Sequence, residues 1–205
     1  MSKRPAAFHL LLLAAVGLAI GAMSAVLIFP DLVQRKLPSP TSVGRALVGG
    51  PFSLIDHTGK RVTEKDFKGR HMLVMFGFTF CPDICPSGLQ VMSAALDKLG
   101  AKADTVTPVF ITLDPERDTP TALAAYVPSF HSRLIGLTGT PDEIAAAAKQ
   151  YRVYYKKVRD EKSTAVYTID HSALIYLMGP DGSYVAHFTH STGVDTLAER
   201  LAKLL

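Results

Sequence analysis

Apolar positions along the 205-residue chain group into three kinds of run. The first is Phe8 to Phe29, 22 residues broken only by His9 and Ser24. Roughly 20 apolar residues span a bilayer as a helix, whereas a cleaved signal has an apolar core of only about 7–15. The length therefore predicts a retained anchor over residues 1–30, although the small residues around Ala22-Met23-Ser24 leave cleavage as the alternative. The second kind is near-continuous and short. Met72–Phe80 and Val106–Leu113 have the length and β-branched or aromatic content of strands buried on both faces, the latter weakened by Pro108 near its start. The third kind repeats at helical spacing. Leu89, Met92, Leu96 and Leu99 form one such face after Cys85, stopped by Gly100. Leu197, Leu201 and Leu204 form another within Asp195–Leu204.

Between these runs lie shorter elements. Pro51–Asp56 and Lys60–Thr63 flank the turn His57-Thr58-Gly59 and read as a hairpin. Thr121–Phe130 and Pro141–Tyr151 read as helices. The second begins at Thr140-Pro141-Asp142-Glu143, with a capping hydroxyl, proline at the first helical position and acids in the first turn. Arg133–Leu137 and Tyr154–Val158 are short strands. Ala173–Leu177 and Tyr184–Phe188 flank Gly179-Pro180-Asp181-Gly182, a second hairpin turn. Residues 31–50 carry Pro38, Pro40, Gly44, Gly49 and Gly50 and form a linker. The domain expected over 51–205 thus alternates strands and helices and ends in a hairpin and a helix. That order predicts an α/β protein with a mixed central sheet, a thioredoxin-like fold, behind an N-terminal transmembrane helix.

Composition narrows the function. There are 22 Lys and Arg against 18 Asp and Glu. Lys3 and Arg4 precede the apolar run, and the remainder is nearly neutral, without the basic footprint of a nucleic-acid binder. The same two residues favour an N-terminus in the cytoplasm and a domain outside it. No Arg- and Ser-rich transit peptide precedes the run, so the expected place is the bacterial inner (plasma) membrane, with the domain facing the periplasm or cell exterior. Two cysteines exclude a disulfide scaffold and a four-cysteine zinc site.

Both cysteines fall in Cys81-Pro82-Asp83-Ile84-Cys85-Pro86, directly after a buried strand and at the start of a helix. At that spacing they can share a metal or close a small disulfide. Free N–H groups at a helix start lower a thiol pKa, and the thiolate is the form that binds metal and attacks disulfides. A purely structural disulfide here would close a very short loop and add little stability. Soft thiolates favour Cu(I), with imidazole as a fitting third ligand. Of the seven histidines, His9 lies in the apolar run, and His57, His71 and His131 read as surface residues. His187 and His190 could form a separate metal pair across a strand end. His171 precedes the strand Ala173–Leu177, in a loop that thioredoxin-like folds bring beside the helix bearing the cysteines.

Phe78-Thr79-Phe80-Cys81-Pro82-Asp83-Ile84-Cys85-Pro86 resembles the copper-site motif of the SCO/SenC family, membrane-anchored assembly factors for cytochrome c oxidase. Asp114-Pro115-Glu116-Arg117-Asp118-Thr119-Pro120 resembles its second signature. Asp170-His171-Ser172, followed by Tyr176-Leu177 and Gly179-Pro180-Asp181-Gly182, resembles its third. The resemblance spans roughly residues 48–205. It implies that Cys81, Cys85 and His171 bind copper as Cu(I) or Cu(II), supplied by an upstream donor. The metallochaperone would deliver that copper to the binuclear site of oxidase subunit II, or keep that subunit's cysteines reduced. By its place in the second signature, Asp114 is expected beside the site as an outer residue. Asp118 and Thr119 can equally be helix caps, and Arg117 a structural residue. Two alternatives stay open. In a thiol–disulfide oxidoreductase, Cys81 would attack and Cys85 resolve. A peroxiredoxin-type peroxidase fits less well, because Thr79 is only two residues before Cys81 and Val74 stands where a proline is expected.

Overall fold

The computed structural model describes residue 17, residues 47–159 and residues 166–205. Apart from residue 17, the predicted anchor over 1–30 and most of the predicted linker lie outside the described residues. Among those described, no helix is long and apolar enough to cross a membrane.

The chain runs β1 (Ser53–Asp56), β2 (Arg61–Thr63), β3 (His71–Gly77), α1 (Ile84–Leu99), β4 (Val106–Thr112), α2 (Pro120–Tyr126), β5 (Ile135–Thr138), α3 (Pro141–Gln150), β6 (Tyr155–Arg159), β7 (Tyr167–His171), β8 (Leu174–Met178), β9 (Tyr184–Thr189) and α4 (Val194–Leu204). Seven strands form one sheet in the order β2-β1-β5-β4-β3-β8-β9, and β6 pairs with β7 as a separate ribbon. β3, β4 and β5 are parallel, while β8 and β9 run antiparallel to their neighbours. The sheet is mixed, as expected, with a βαβ half and a ββα half meeting at β3 and β8.

The two near-continuous apolar runs are the two central strands. Six of the seven residues of β3 and all seven of β4 are buried. Pro108 is tolerated because β5 joins β4 only from Val109, so no ladder bond to β5 is asked of the missing N–H. α1 packs against α4 and lies on β3. A side chain at Gly88 of α1 would meet Met75 of β3 within 2.7 Å. The caps follow the sequence closely. Thr140 Oγ1 accepts the Glu143 N–H at 3.2 Å, and Glu143 accepts the Thr140 N–H at 2.8 Å, a complete capping box. Gly100 ends α1 at φ 57°.

Three expectations are corrected. The strand expected over Met72–Phe80 stops, as β3, at Gly77 and the chain turns, with Cys81 N–H donating to the Phe78 carbonyl at 3.2 Å. The helix expected over Thr121–Phe130 ends at Tyr126 and tightens into a 3-10 turn over Val127–Ser129, because Pro128 has no N–H to continue the α ladder. His171 was expected in a loop. It is the last residue of β7, paired with Tyr155 of β6. Tyr167, Ile169 and His171 alternate with Thr168 and Asp170 at strand period, so the signal was present in the sequence.

Candidate metal centre

The site begins where β3 ends. Gly77 is there because nothing larger fits. A Cβ on it would stand 2.7 Å from Cys85 Sγ and 2.9 Å from the Phe110 ring. The next residues are pinned from below by Asp118, which is fully buried. Its carboxylate accepts the Thr79 N–H at 3.0 Å, the Thr79 hydroxyl at 2.5 Å and the Thr112 hydroxyl at 2.6 Å. These bonds tie the ends of β3 and β4 together. Burial raises the Asp118 pKa even so.

Cys81 is half-buried and Cys85 fully buried, and neither is in a disulfide. Cys85 lies in the first turn of α1, where backbone N–H groups have no helical partner. Its own N–H points at Cys81 Sγ, 3.3 Å away. The two sulfurs are therefore unequal. The Cys85 thiol donating to Cys81 is the largest influence on Cys81. With the N–H groups of Cys85 and Asp83, it pulls the Cys81 pKa down to about 4. Cys85 moves the other way. Its bond to Cys81, burial, and the adjacent negative charge all hold its proton on. The negative charge is thus favoured on Cys81 and the proton on Cys85.

His171 arrives from the ribbon. Its Nδ1 is 3.1 Å from the Ser172 carbonyl oxygen. A carbonyl can only accept, so Nδ1 carries the proton and Nε2 presents a lone pair. Nε2 lies 3.5 Å from Cys85 Sγ. The ring meets Phe78 edge-on, with centroids 5.8 Å apart at 80°. The two sulfurs and the imidazole nitrogen all lie within 4.8 Å of one another. Among the described residues this is the only group of three or more such side chains so placed. It opens into a cleft of about 260 Å³ between the cysteine turn and β7, with Phe78, Ile84 and Ile169 among its walls.

Asp114, expected beside the site as an outer residue, has its contacts with Arg117 and with Tyr167 of His171's strand. It is wholly buried, forms an ion pair with Arg117, and accepts the Tyr167 hydroxyl at 2.7 Å. It thus grips the start of β7, four residues before His171. The other described histidines stay apart from the cysteines. His57 Nδ1 accepts the Gly136 N–H at 3.2 Å and His131 Nδ1 accepts the Arg133 N–H at 3.0 Å, both backbone roles. His187 Nδ1 contacts the Tyr184 hydroxyl at 2.5 Å, and His190 is exposed. His9 lies outside the described residues. What Gly77, Thr79, Phe80 and Tyr167 touch at the site is visible only in the fold, because no local pattern records it.

Comparison with known proteins agrees with this geometry. The family described as SCO1/SenC matches residues 40–205. The mitochondrial protein SCO1 homolog 1 of Arabidopsis thaliana is 48% identical over 163 residues, 79% of this chain and 48% of that protein. This chain spans about half the length of the first curated relatives it matches. Among solved structures, Arabidopsis thaliana ScoI with copper bound is 48% identical at a TM-score of 0.73, covering 77% of this chain and 97% of that one. BsSco, in which a disulfide switch is described and which is called a member of the Sco family of cytochrome c oxidase assembly proteins, is 26% identical. It covers 76% of this chain and 91% of its own at a TM-score of 0.59. By the span of the family match and the identity of these relatives, the chain belongs to the SCO1/SenC family.

Proposed function

We propose that this protein carries copper to cytochrome c oxidase, binding it through Cys81, Cys85 and His171 and handing it to the binuclear site of subunit II. The observation that carries the reading is the convergence of two sulfurs and one imidazole nitrogen within 4.8 Å at a cleft. The donor set fits the cargo. Soft thiolates hold Cu(I), and an imidazole nitrogen turned inward suits either oxidation state. The copper-bound relative supports the metal. The proposed organisation is an anchor over 1–30 in the bacterial inner membrane, a tether over 31–50 and the copper-binding domain over 51–205, facing outward.

The residues divide the work. Cys81 already carries the charge a metal needs. Cys85 must release its proton, so loading frees about one proton per copper from the thiols. The half-exposed Cys81 edge is the side from which a partner's thiolates can enter and take the metal by ligand exchange. Oxidation ends the capacity. The Cys81 thiolate and Cys85 thiol become a disulfide, releasing one proton and two electrons to an acceptor, and both sulfur ligands are lost. Loading is therefore tied to redox state.

One observation favours a second reading, the thiol–disulfide oxidoreductase. A half-exposed thiolate beside a buried, protonated thiol is an attacking and resolving pair. The disulfide switch described for BsSco supports it. The deciding test is titration of the reduced and oxidised chain with Cu(I) and Cu(II), each beside His171→Ala. The expected result is one copper per reduced chain, weakened by the substitution and lost on oxidation. Equal affinity in both proteins would remove His171 from the ligands. No tight copper, with ready exchange of a partner disulfide, would leave the second reading standing.

A further inference from the structure

His171 is carried by the β6–β7 ribbon, which shares no ladder with the main sheet, whereas Cys81 and Cys85 are carried by the turn between β3 and α1. Something must fix the ribbon against that turn, since a ligand set is only as well placed as its loosest member. The segment Asp114–Asp118 occupies the gap. Asp118 holds the cysteine side through Thr79. Glu116 pairs with Lys157 of β6 at 2.6 Å. Asp114 holds the Tyr167 hydroxyl of β7.

Arg117 reaches both sides at once. Its guanidinium carbon lies 4.0 Å from the ring centroid of Tyr167 and 4.7 Å from that of Phe80, with Phe78 at 5.9 Å. Tyr167 is on His171's strand. Phe80 immediately precedes Cys81. Nη1 also donates to the Tyr167 carbonyl at 3.2 Å, and Nε donates to Asp114. The side chain is only 19% exposed, so these contacts are made largely out of water. A planar fork that can both stack and donate is specific to arginine, and lysine offers only a point charge.

We propose that Arg117 is a positioning residue for the copper centre, setting where His171 stands relative to Cys81 and Cys85 by bridging Tyr167 and Phe80. The proposal rests on the copper reading above. Arg117 contacts none of the three ligand atoms, so its effect must pass through those rings.

The test uses the full chain, reduced, as wild type, Arg117→Gln, Arg117→Lys, Phe80→Leu and Cys81→Ser. Copper affinity is measured by chelator competition. The Cu(II) absorption and electron paramagnetic resonance spectra are recorded at saturating copper. Arg117→Gln is expected to weaken copper binding about 10–100-fold, the range found when a partner of a metal ligand is removed, and to shift both spectra. Arg117→Lys is expected to stay weakened, because charge alone does not restore the bridge. A merely structural arginine would lower the melting temperature yet leave the saturated spectra unchanged, and unchanged spectra would overturn the proposal. Should Arg117→Gln fail to fold, Phe80→Leu decides. Phe80 is 62% exposed, so its loss spares the core. Wild-type affinity and spectra in Phe80→Leu would then overturn the proposal. Equal affinity in wild type and Cys81→Ser would instead defeat the copper reading, and the proposal with it. Tight wild-type binding beside an unaffected Arg117→Gln removes the proposal alone.

Discussion

Gly77 and Cys85 are in contact across the junction of β3 and α1, so close that a Cβ on the glycine would stand 2.7 Å from the cysteine sulfur. The glycine is needed for space rather than for conformation, since its φ is not positive. Alanine therefore fits the backbone, and its methyl group must displace either the thiol or the Phe110 ring behind it. Gly77→Ala is expected to cost about 1–3 kcal/mol of stability, the usual range for an added group in a packed core. It is also expected to weaken copper binding, because the displaced atom is a ligand. Thermal unfolding and copper competition on the same preparation check both. Loss of stability with wild-type copper affinity would show that Phe110 moved instead.

The unequal thiols give a pH dependence with a definite sign. Cys81 titrates at about 4 in the folded protein against an ordinary value of 9.0. The unfolded state therefore binds more protons at this group between those values, and stability from Cys81 rises with pH across that window. It is fully present above pH 9.0 and is lost as pH falls through about 4. Cys85 opposes this above pH 9.0, where the unfolded thiol ionises and the folded one does not. The reduced protein should show one fast-alkylating thiol from neutral pH down to about 4, absent in Cys81→Ser. Alkylation that slows already between pH 8 and 7 would place the thiolate pKa near the ordinary 9.0 and contradict the geometry.

What the sequence could show was local. The buried central strands were legible in Met72–Phe80 and Val106–Leu113 because a doubly covered strand leaves a continuous apolar run. The cap at Thr140 was legible because capping is decided within four residues. The ligands were legible as residue types in three separated motifs. Their meeting was not, since Cys85 and His171 are 86 residues apart and only the fold brings them to 3.5 Å. The segment Asp118-Thr119 shows the boundary well. Either side chain could cap α2. Thr119 takes that role, its Oγ1 accepting the Ala122 N–H at 3.2 Å, and Asp118 turns inward to Thr79 and Thr112. Which of two adjacent caps is used depends on what lies beneath, and a linear pattern carries no record of that.

Asp118→Asn tests the anchor under the cysteine turn. The carboxylate accepts three hydrogen bonds, from the Thr79 N–H and the hydroxyls of Thr79 and Thr112. An amide of the same shape turns one acceptor into a donor facing those groups. The threonine hydroxyls can rotate to accept, but the Thr79 N–H cannot. The amide oxygen therefore takes the Oδ2 place, where it keeps the Thr79 N–H and the Thr112 hydroxyl, and its NH2 donates to the Thr79 hydroxyl, so the loss is that of exchanging a charged for a neutral acceptor, about 1 kcal/mol. Because Thr79 is two residues before Cys81, the loosened turn should also speed proteolysis near that cysteine. Equal melting temperatures for the two proteins would mean that the amide is accommodated without loss.

His171→Ala separates the two chemistries that Cys81 and Cys85 can perform. Removing the imidazole takes away one ligand, and copper affinity should fall sharply. The disulfide needs no imidazole. Cys81 Sγ stays 3.3 Å from the Cys85 N–H at the start of α1, and both cysteines belong to the same turn. The variant should therefore still form its disulfide. Its rate should change little, because the largest influence on the Cys81 thiolate is the Cys85 thiol, which the substitution leaves in place. Oxidation by a glutathione buffer, followed by thiol counting, measures this alongside the copper titration. Loss of copper with intact disulfide formation assigns His171 to metal alone. Loss of both would mean that the imidazole also orients Cys85, across the 3.5 Å that separates Nε2 from its sulfur.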